Sequence, residues 1–169
     1  MIKDKNKPDR EILDEIRFSF LHPYKVAGMA EPWLEKIGPT LELLRDRNIG
    51  AILTLTEDDL YGSRYMDAGF LHHHEPINDC EAPSFKGMDG AVSFIDSTLA
   101  KGFGVAVHCL EGRGRTGTVL CAWLAIKESL DADEAIKRVY AIREYTVITD
   151  AQWDFLNRYI KKKQKSGLD

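Results

Sequence analysis

Apolar positions along the chain alternate between short β-branched runs and longer stretches at helical spacing. Residues 18–20 and 24–27 read as short strands, interrupted at His22 and Pro23. Leu34, Ile37, Leu41 and Leu44 recur on one helical face from Pro32 to about Arg47, with Pro32 in the first turn. Asn48 and Gly50 end that helix, and residues 51–55 follow as a buried strand. Residues 56–69 are acidic and irregular, with room for one short helix. Residues 70–77 form the next strand and lead into a loop over 78–83. Ser84 caps a helix to about Lys101 that turns Val92, Ile95 and Leu99 inward. Beyond Gly102 and Gly104 come a strand (105–108), a glycine-rich loop (109–115) and a helix (116–129). Asp131 with Glu134, and Thr149 with Gln152, have capping-box spacing. They predict two further helices, the last with Trp153, Leu156 and Ile160 inward.

Strands alternating with helices predict an α/β fold, a central and mostly parallel sheet flanked by helices. The 169 residues suit a single domain. Residues 1–16 are expected as a flexible N-terminal arm, 17–163 as the domain and 164–169 as a tail.

Composition narrows the classes. With 44% hydrophobic and 30% charged residues the chain is not of the disordered type. No apolar run approaches the ~20 residues of a membrane span. The charged start lacks the apolar middle of a secretory signal, so a cytoplasmic monomer is expected. A net charge of −4 argues against a nucleic-acid partner. The basic cluster Arg158, Lys161, Lys162, Lys163 and Lys165 reads as a solvated helix end. Cys80, Cys109 and Cys121 are odd in number and lack CxxC spacing, which predicts neither a disulfide framework nor a zinc site. His72, His73 and His74 lie on a predicted strand, where at most two can share a face. No metal and no cofactor are expected.

The chemistry gathers between Val105 and Thr118. A buried strand delivers Cys109 at its C-terminal end, the edge where open α/β sheets bind ligands. Gly112 and Gly114 let the following backbone turn its amides toward one centre. A helix N-terminus then adds positive potential. These donors form an anion cradle that favours a thiolate at its base. Arg115 supplies a planar fork able to hold two oxygens of a phosphoryl group.

His108-Cys109-x-x-Gly112-x-x-Arg115-Thr116 resembles the HCxxGxxR-[Ser/Thr] signature of the cysteine-dependent protein tyrosine phosphatase superfamily, in its small atypical dual-specificity form. Residues 25–30, 53–57 and 76–79 fall where those phosphatases carry comparable segments, so the resemblance spans about residues 17–160. It implies a hydrolase acting on phosphotyrosine in a protein or peptide, with phosphoserine and phosphothreonine as further candidates. Cys109 would be the nucleophile and would form a phosphocysteine intermediate. Leu110, Glu111, Gly112, Arg113, Gly114 and Arg115 would bind the phosphate, and Thr116 would assist the departing thiolate. His108 would order the loop. Asp79 would serve as general acid and base, with Glu81 as its competitor. Gln152 corresponds to a glutamine that positions water in some relatives, and equally to a simple cap.

Several side chains carry secondary expectations. Glu57 could brace Arg115. Glu111 should turn to solvent or pair with Arg113. Cys80 is a candidate disulfide partner for Cys109, and Tyr61 and Tyr65 could flank a substrate ring. Competing readings keep the same cysteine chemistry on a phosphoinositide, an inositol phosphate or an RNA 5′-phosphate. Leu110 argues against a highly charged headgroup. A catalytically silent phosphate-binding module and a sulfurtransferase are the remaining alternatives.

Overall fold

A five-stranded sheet forms the centre of the computed structural model, which describes residues 7–166. In chain order the elements are α1 (Lys7–Glu15), β1 (Ser19–Phe20), β2 (Val26–Ala30), α2 (Ile37–Asp46), β3 (Ile49–Thr54), α3 (Gly62–Asp67), β4 (Leu71–His74), α4 (Phe85–Ala100), β5 (Gly104–Cys109), α5 (Gly114–Glu128), α6 (Ala132–Ile142) and α7 (Asp150–Ser166). The sheet order is β1-β2-β5-β3-β4. Only β1 runs antiparallel to its neighbour. This is the predicted α/β architecture.

Both faces of the sheet are covered, as a parallel sheet requires. Strand alternation divides the core in two. Val26, Ala51, Leu53, Val105 and Val107 join α4, α5, α6 and α7 on one face. Ala27, Met29, Ile52 and Ala106 join Ile37, Leu41, Leu44 and Tyr65 on the other. Helix α5 is buried from Arg115 to Ala125, because sheet, α4, α6 and α7 all pack around it.

The structure corrects several expectations. Residues 7–15 are helical and Ile16 is buried, so that part of the predicted arm is packed structure. Residues 1–6 of that arm and 167–169 of the predicted tail lie outside the described residues. The helix expected from Pro32 begins as a 3-10 turn over Leu34–Lys36 and becomes α-helical only at Ile37. Pro39 then sits in the first turn, where a missing N–H costs no intrahelical bond. Strand β4 stops at His74, short of the predicted residue 77. Trp153 is exposed, not inward, and its indole donates to Asp133 Oδ1 at 2.8 Å. The inward face of α7 is instead Gln152, Phe155, Leu156, Tyr159 and Ile160.

Candidate active site

The register of β5 places the candidate chemistry. Ala30 pairs with Cys109 and Thr54 with His108, so three central strands end together at one edge of the sheet. The loops after β3 and β4 bring Glu57 and Asp79 there, and the start of α7 brings Thr149 and Gln152. A cleft of about 340 Å³ opens there, lined among others by Asp79, Cys109, Arg115, Thr149 and Gln152.

Cys109 is buried at the end of β5. Thr116, in the first turn of α5, donates its hydroxyl to Cys109 Sγ at 3.2 Å. Gly112 has φ +68, a left-handed conformation natural to glycine. A Cβ there would overlap the Met29 carbonyl, so β2 passes directly behind the loop.

Arg115 is buried yet carries its charge among acceptors. Nη1 meets Glu57 Oε2 at 2.6 Å and the Ile77 carbonyl at 3.0 Å. Nη2 lies 3.0 Å from Asp79 Oδ1. Glu57 Oε1 also accepts the Asp79 amide at 2.8 Å, so one carboxylate ties the arginine to the loop carrying Asp79. Its own backbone amide, and then the Arg115 guanidinium, hold the Glu57 carboxyl below the usual range. The expected brace from Glu57 is therefore present.

The loop carrying Asp79 is tied on its other side to the start of α7. Thr149 Oγ1 donates to the Cys80 carbonyl at 3.1 Å, and Gln152 Nε2 to the Glu81 carbonyl at 3.0 Å. Gln152 Oε1 accepts the Thr149 amide at 3.1 Å, which completes the predicted cap. One Nε2 hydrogen and one Oε1 lone pair remain for a further partner. Asp79 itself is exposed at the cleft.

Behind the cysteine, His108 is fully buried. Its Nε2 lies 2.9 Å from Thr54 Oγ1, which His72 also contacts at 3.0 Å. Burial lowers the His108 pKa to about 4, so its ring is neutral at ordinary pH. Tyr65 is buried against it, at 3.4 Å, and is core rather than a flank for substrate. His73 faces away and stacks on Phe94, so the three histidines do not converge. Among the described residues no cluster of three or more metal-ligating side chains is found.

Other expectations change. Glu111 turns to solvent, the first of its two expected placements, and there pairs with Arg17 at 3.5 Å rather than with Arg113. Arg113 Nε donates to the Tyr145 carbonyl at 3.0 Å. Cys80 is a free thiol at the cleft, raised first by the charge of Asp79 and then by its hydrogen bond. Burial pushes the Cys121 thiol up to about 12, which leaves it inert in the core. Arg143, which sequence reasoning did not single out, donates Nη2 to the Gly112 carbonyl at 2.7 Å. Nothing in a lone arginine at a helix end marks that contact in advance.

Residues 27–129 match the model of a family described as a polymorphic toxin system DSP-PTPase phosphatase. An uncharacterized protein of Methanocaldococcus jannaschii is 36% identical over 88 residues, 52% of this chain and 58% of its own length. Human phosphatidylglycerophosphatase and protein-tyrosine phosphatase 1 is 24% identical over 160 residues, 82% of this chain and 79% of its own. The crystal structure of Tk-PTP in its active form superposes with a TM-score of 0.77 at 28% identity, covering 86% of this chain and 97% of that one. The match spans only 58% and 55% of the length of the first curated relatives. No described helix is long and apolar enough to cross a membrane. The family model takes in more than half of the chain and includes the whole cysteine loop, so the chain belongs to the DSP-PTPase family of cysteine-dependent phosphatases.

Proposed function

We propose that this protein removes phosphate from phosphotyrosine in proteins or peptides, with phosphoserine and phosphothreonine as further substrates, through a phosphocysteine intermediate. One observation carries the reading: Asp79, from a separate loop, lines the same cleft as Cys109 and Arg115.

In the first step the Cys109 thiolate attacks phosphorus. The S–P bond forms, the ester P–O bond breaks, and protonated Asp79 gives its proton to the departing oxygen. The amides of residues 110–115 and the Arg115 fork hold the three equatorial oxygens as their charge rises. In the second step water attacks the phosphocysteine, Asp79 takes its proton and the S–P bond breaks. Thr116 donates to the sulfur as it leaves, an interaction supported by its 3.2 Å approach. The free hydrogen and lone pair of Gln152 suit it to orient that water. His108 stays neutral and orders the loop from behind.

The cleft mouth supports an aryl phosphate. Leu110 and Val147 are exposed apolar side chains beside it. Its charged lining is balanced, Asp79 and Glu111 against Arg113 and Arg115, and Leu110 offers no charge, which leaves little to hold a headgroup carrying several phosphates. A second reading is a lipid carrying one phosphomonoester. The same apolar mouth and the human relative's name, phosphatidylglycerophosphatase and protein-tyrosine phosphatase, favour it.

Phosphate release from a phosphotyrosine peptide, a phosphothreonine peptide and a phosphatidylglycerophosphate vesicle separates these readings, with Cys109→Ser as blank. Release from the peptides that disappears in the variant supports the first reading. Release from the vesicle alone moves the lipid to first place. No release from any of them removes the enzymatic reading for these substrates.

A further inference from the structure

Three consecutive carbonyls of the cysteine loop point away from the cleft, each to a donor from a different part of the chain. The Leu110 carbonyl accepts the Glu31 amide at 3.1 Å. The Glu111 carbonyl accepts Arg17 Nη1 at 2.9 Å, and the Gly112 carbonyl accepts Arg143 Nη2 at 2.7 Å. A peptide whose carbonyl is held outward presents its amide on the opposite side. The two arginines therefore fix the direction in which this loop's N–H groups point. Both lie outside the stretch matched by the family model.

Arg143 is the stronger of the two. It is fully buried at the end of α6. Nη1 reaches the Arg17 carbonyl at 3.1 Å, Ser19 Oγ at 2.5 Å and the Gly28 carbonyl at 2.6 Å. Its guanidinium lies over the Tyr145 ring, 5.0 Å from the centroid. Gly28 leaves the space it occupies, since a Cβ there would come within 2.7 Å of Cζ. Among the described residues no carboxylate forms an ion pair with it. A buried cation is costly unless an anion lies in its field. Arg143 holds the carbonyl three residues after Cys109, and the Cys109 sulfur lies within its electrostatic field.

We propose that Arg143, seconded by Arg17, is a positioning residue for the phosphate cradle, holding its carbonyls outward and lending an unpaired buried charge to the Cys109 thiolate. The proposal rests on Cys109 being the nucleophile. Its test needs no turnover, so failure of that reading and failure of this proposal are separable. Binding of inorganic phosphate is measured together with the pH profile of iodoacetamide alkylation at Cys109, followed peptide by peptide to exclude Cys80 and Cys121.

In Arg143→Met, phosphate binds about tenfold more weakly, as loss of a charged hydrogen bond implies. The midpoint of Cys109 alkylation moves up by about one pH unit. Arg143→Lys restores the alkylation midpoint but not phosphate affinity, because one ammonium cannot replace the fork. Arg17→Met, at a half-exposed position, keeps the fold and weakens phosphate binding about threefold. Folded Arg143→Met and Arg17→Met proteins with wild-type alkylation profile and phosphate affinity would overturn the proposal. Should Arg143→Met not fold, unchanged phosphate affinity in Arg17→Met overturns it alone. Wild-type protein that neither binds phosphate nor alkylates at Cys109 contradicts the nucleophile reading instead.

Discussion

Glu57 Oε2 lies 2.6 Å from Arg115 Nη1, and through this contact the loop after β3 is joined to the phosphate clamp. The other oxygen of the same carboxylate holds the amide of Asp79. Glu57 thus sets two distances at once, that of the arginine and that of the candidate acid. Glu57→Gln replaces one accepting oxygen by a donor facing Arg115. The expected result is a fall in kcat/KM of about tenfold on a phosphotyrosine peptide, with the melting temperature nearly unchanged. Steady-state kinetics beside a thermal melt check it.

Asp79 is expected to act on the leaving oxygen, so its loss should depend on the leaving group. Asp79→Asn should lower kcat on a phosphotyrosine peptide by about a hundredfold. It should lower turnover of an activated aryl phosphate much less, since that leaving group departs without a proton. Equal losses on both substrates would remove Asp79 from the acid role.

Gly112→Ala combines a left-handed φ with a clash against the Met29 carbonyl. The backbone alone costs about 1–2 kcal/mol, and the clash adds to it. A lower melting temperature and a phosphate affinity reduced more than tenfold are expected. Isothermal titration with phosphate reads the second effect.

His108 gives a stability that depends on pH. Burial keeps the ring neutral down to about 4, against an ordinary value of 6.5. Below 6.5 the unfolded chain binds a proton that the native state refuses, so stability falls with pH until about 4. The whole loss is roughly 3 kcal/mol. Burial lowers His72 as well, which adds in the same direction. Urea unfolding across this range should show the decline, and His108→Asn should flatten most of it.

Much of this site was legible in the sequence because its signals are local. Strand, cysteine, glycines, arginine and helix follow one another without interruption, and their order fixes the cradle. Asp79 was legible as a residue type after a strand, and Glu57 as the end of another. Helix α1 was hidden by its charge, although Ile12, Leu13 and Ile16 have the spacing of one helical face. Trp153 shows the limit of periodicity. Its spacing to Leu156 and Ile160 fits a helical face as well as that of Gln152, Phe155, Leu156, Tyr159 and Ile160, and only packing separates the two. Arg143 was illegible, because its partners are carbonyls and a hydroxyl spread from Arg17 to Gly112. Backbone acceptors leave no mark in a sequence.

The central claim is that phosphate passes through Cys109. Acid quenching of the protein shortly after mixing with a phosphotyrosine peptide, followed by mass spectrometry, tests it directly. The predicted result is a phosphoryl group on the Cys109 peptide, more of it in Thr116→Ala, where the sulfur loses its donor, and none in Cys109→Ser. A phosphoryl group on another residue, or undiminished turnover by Cys109→Ser, would contradict the account.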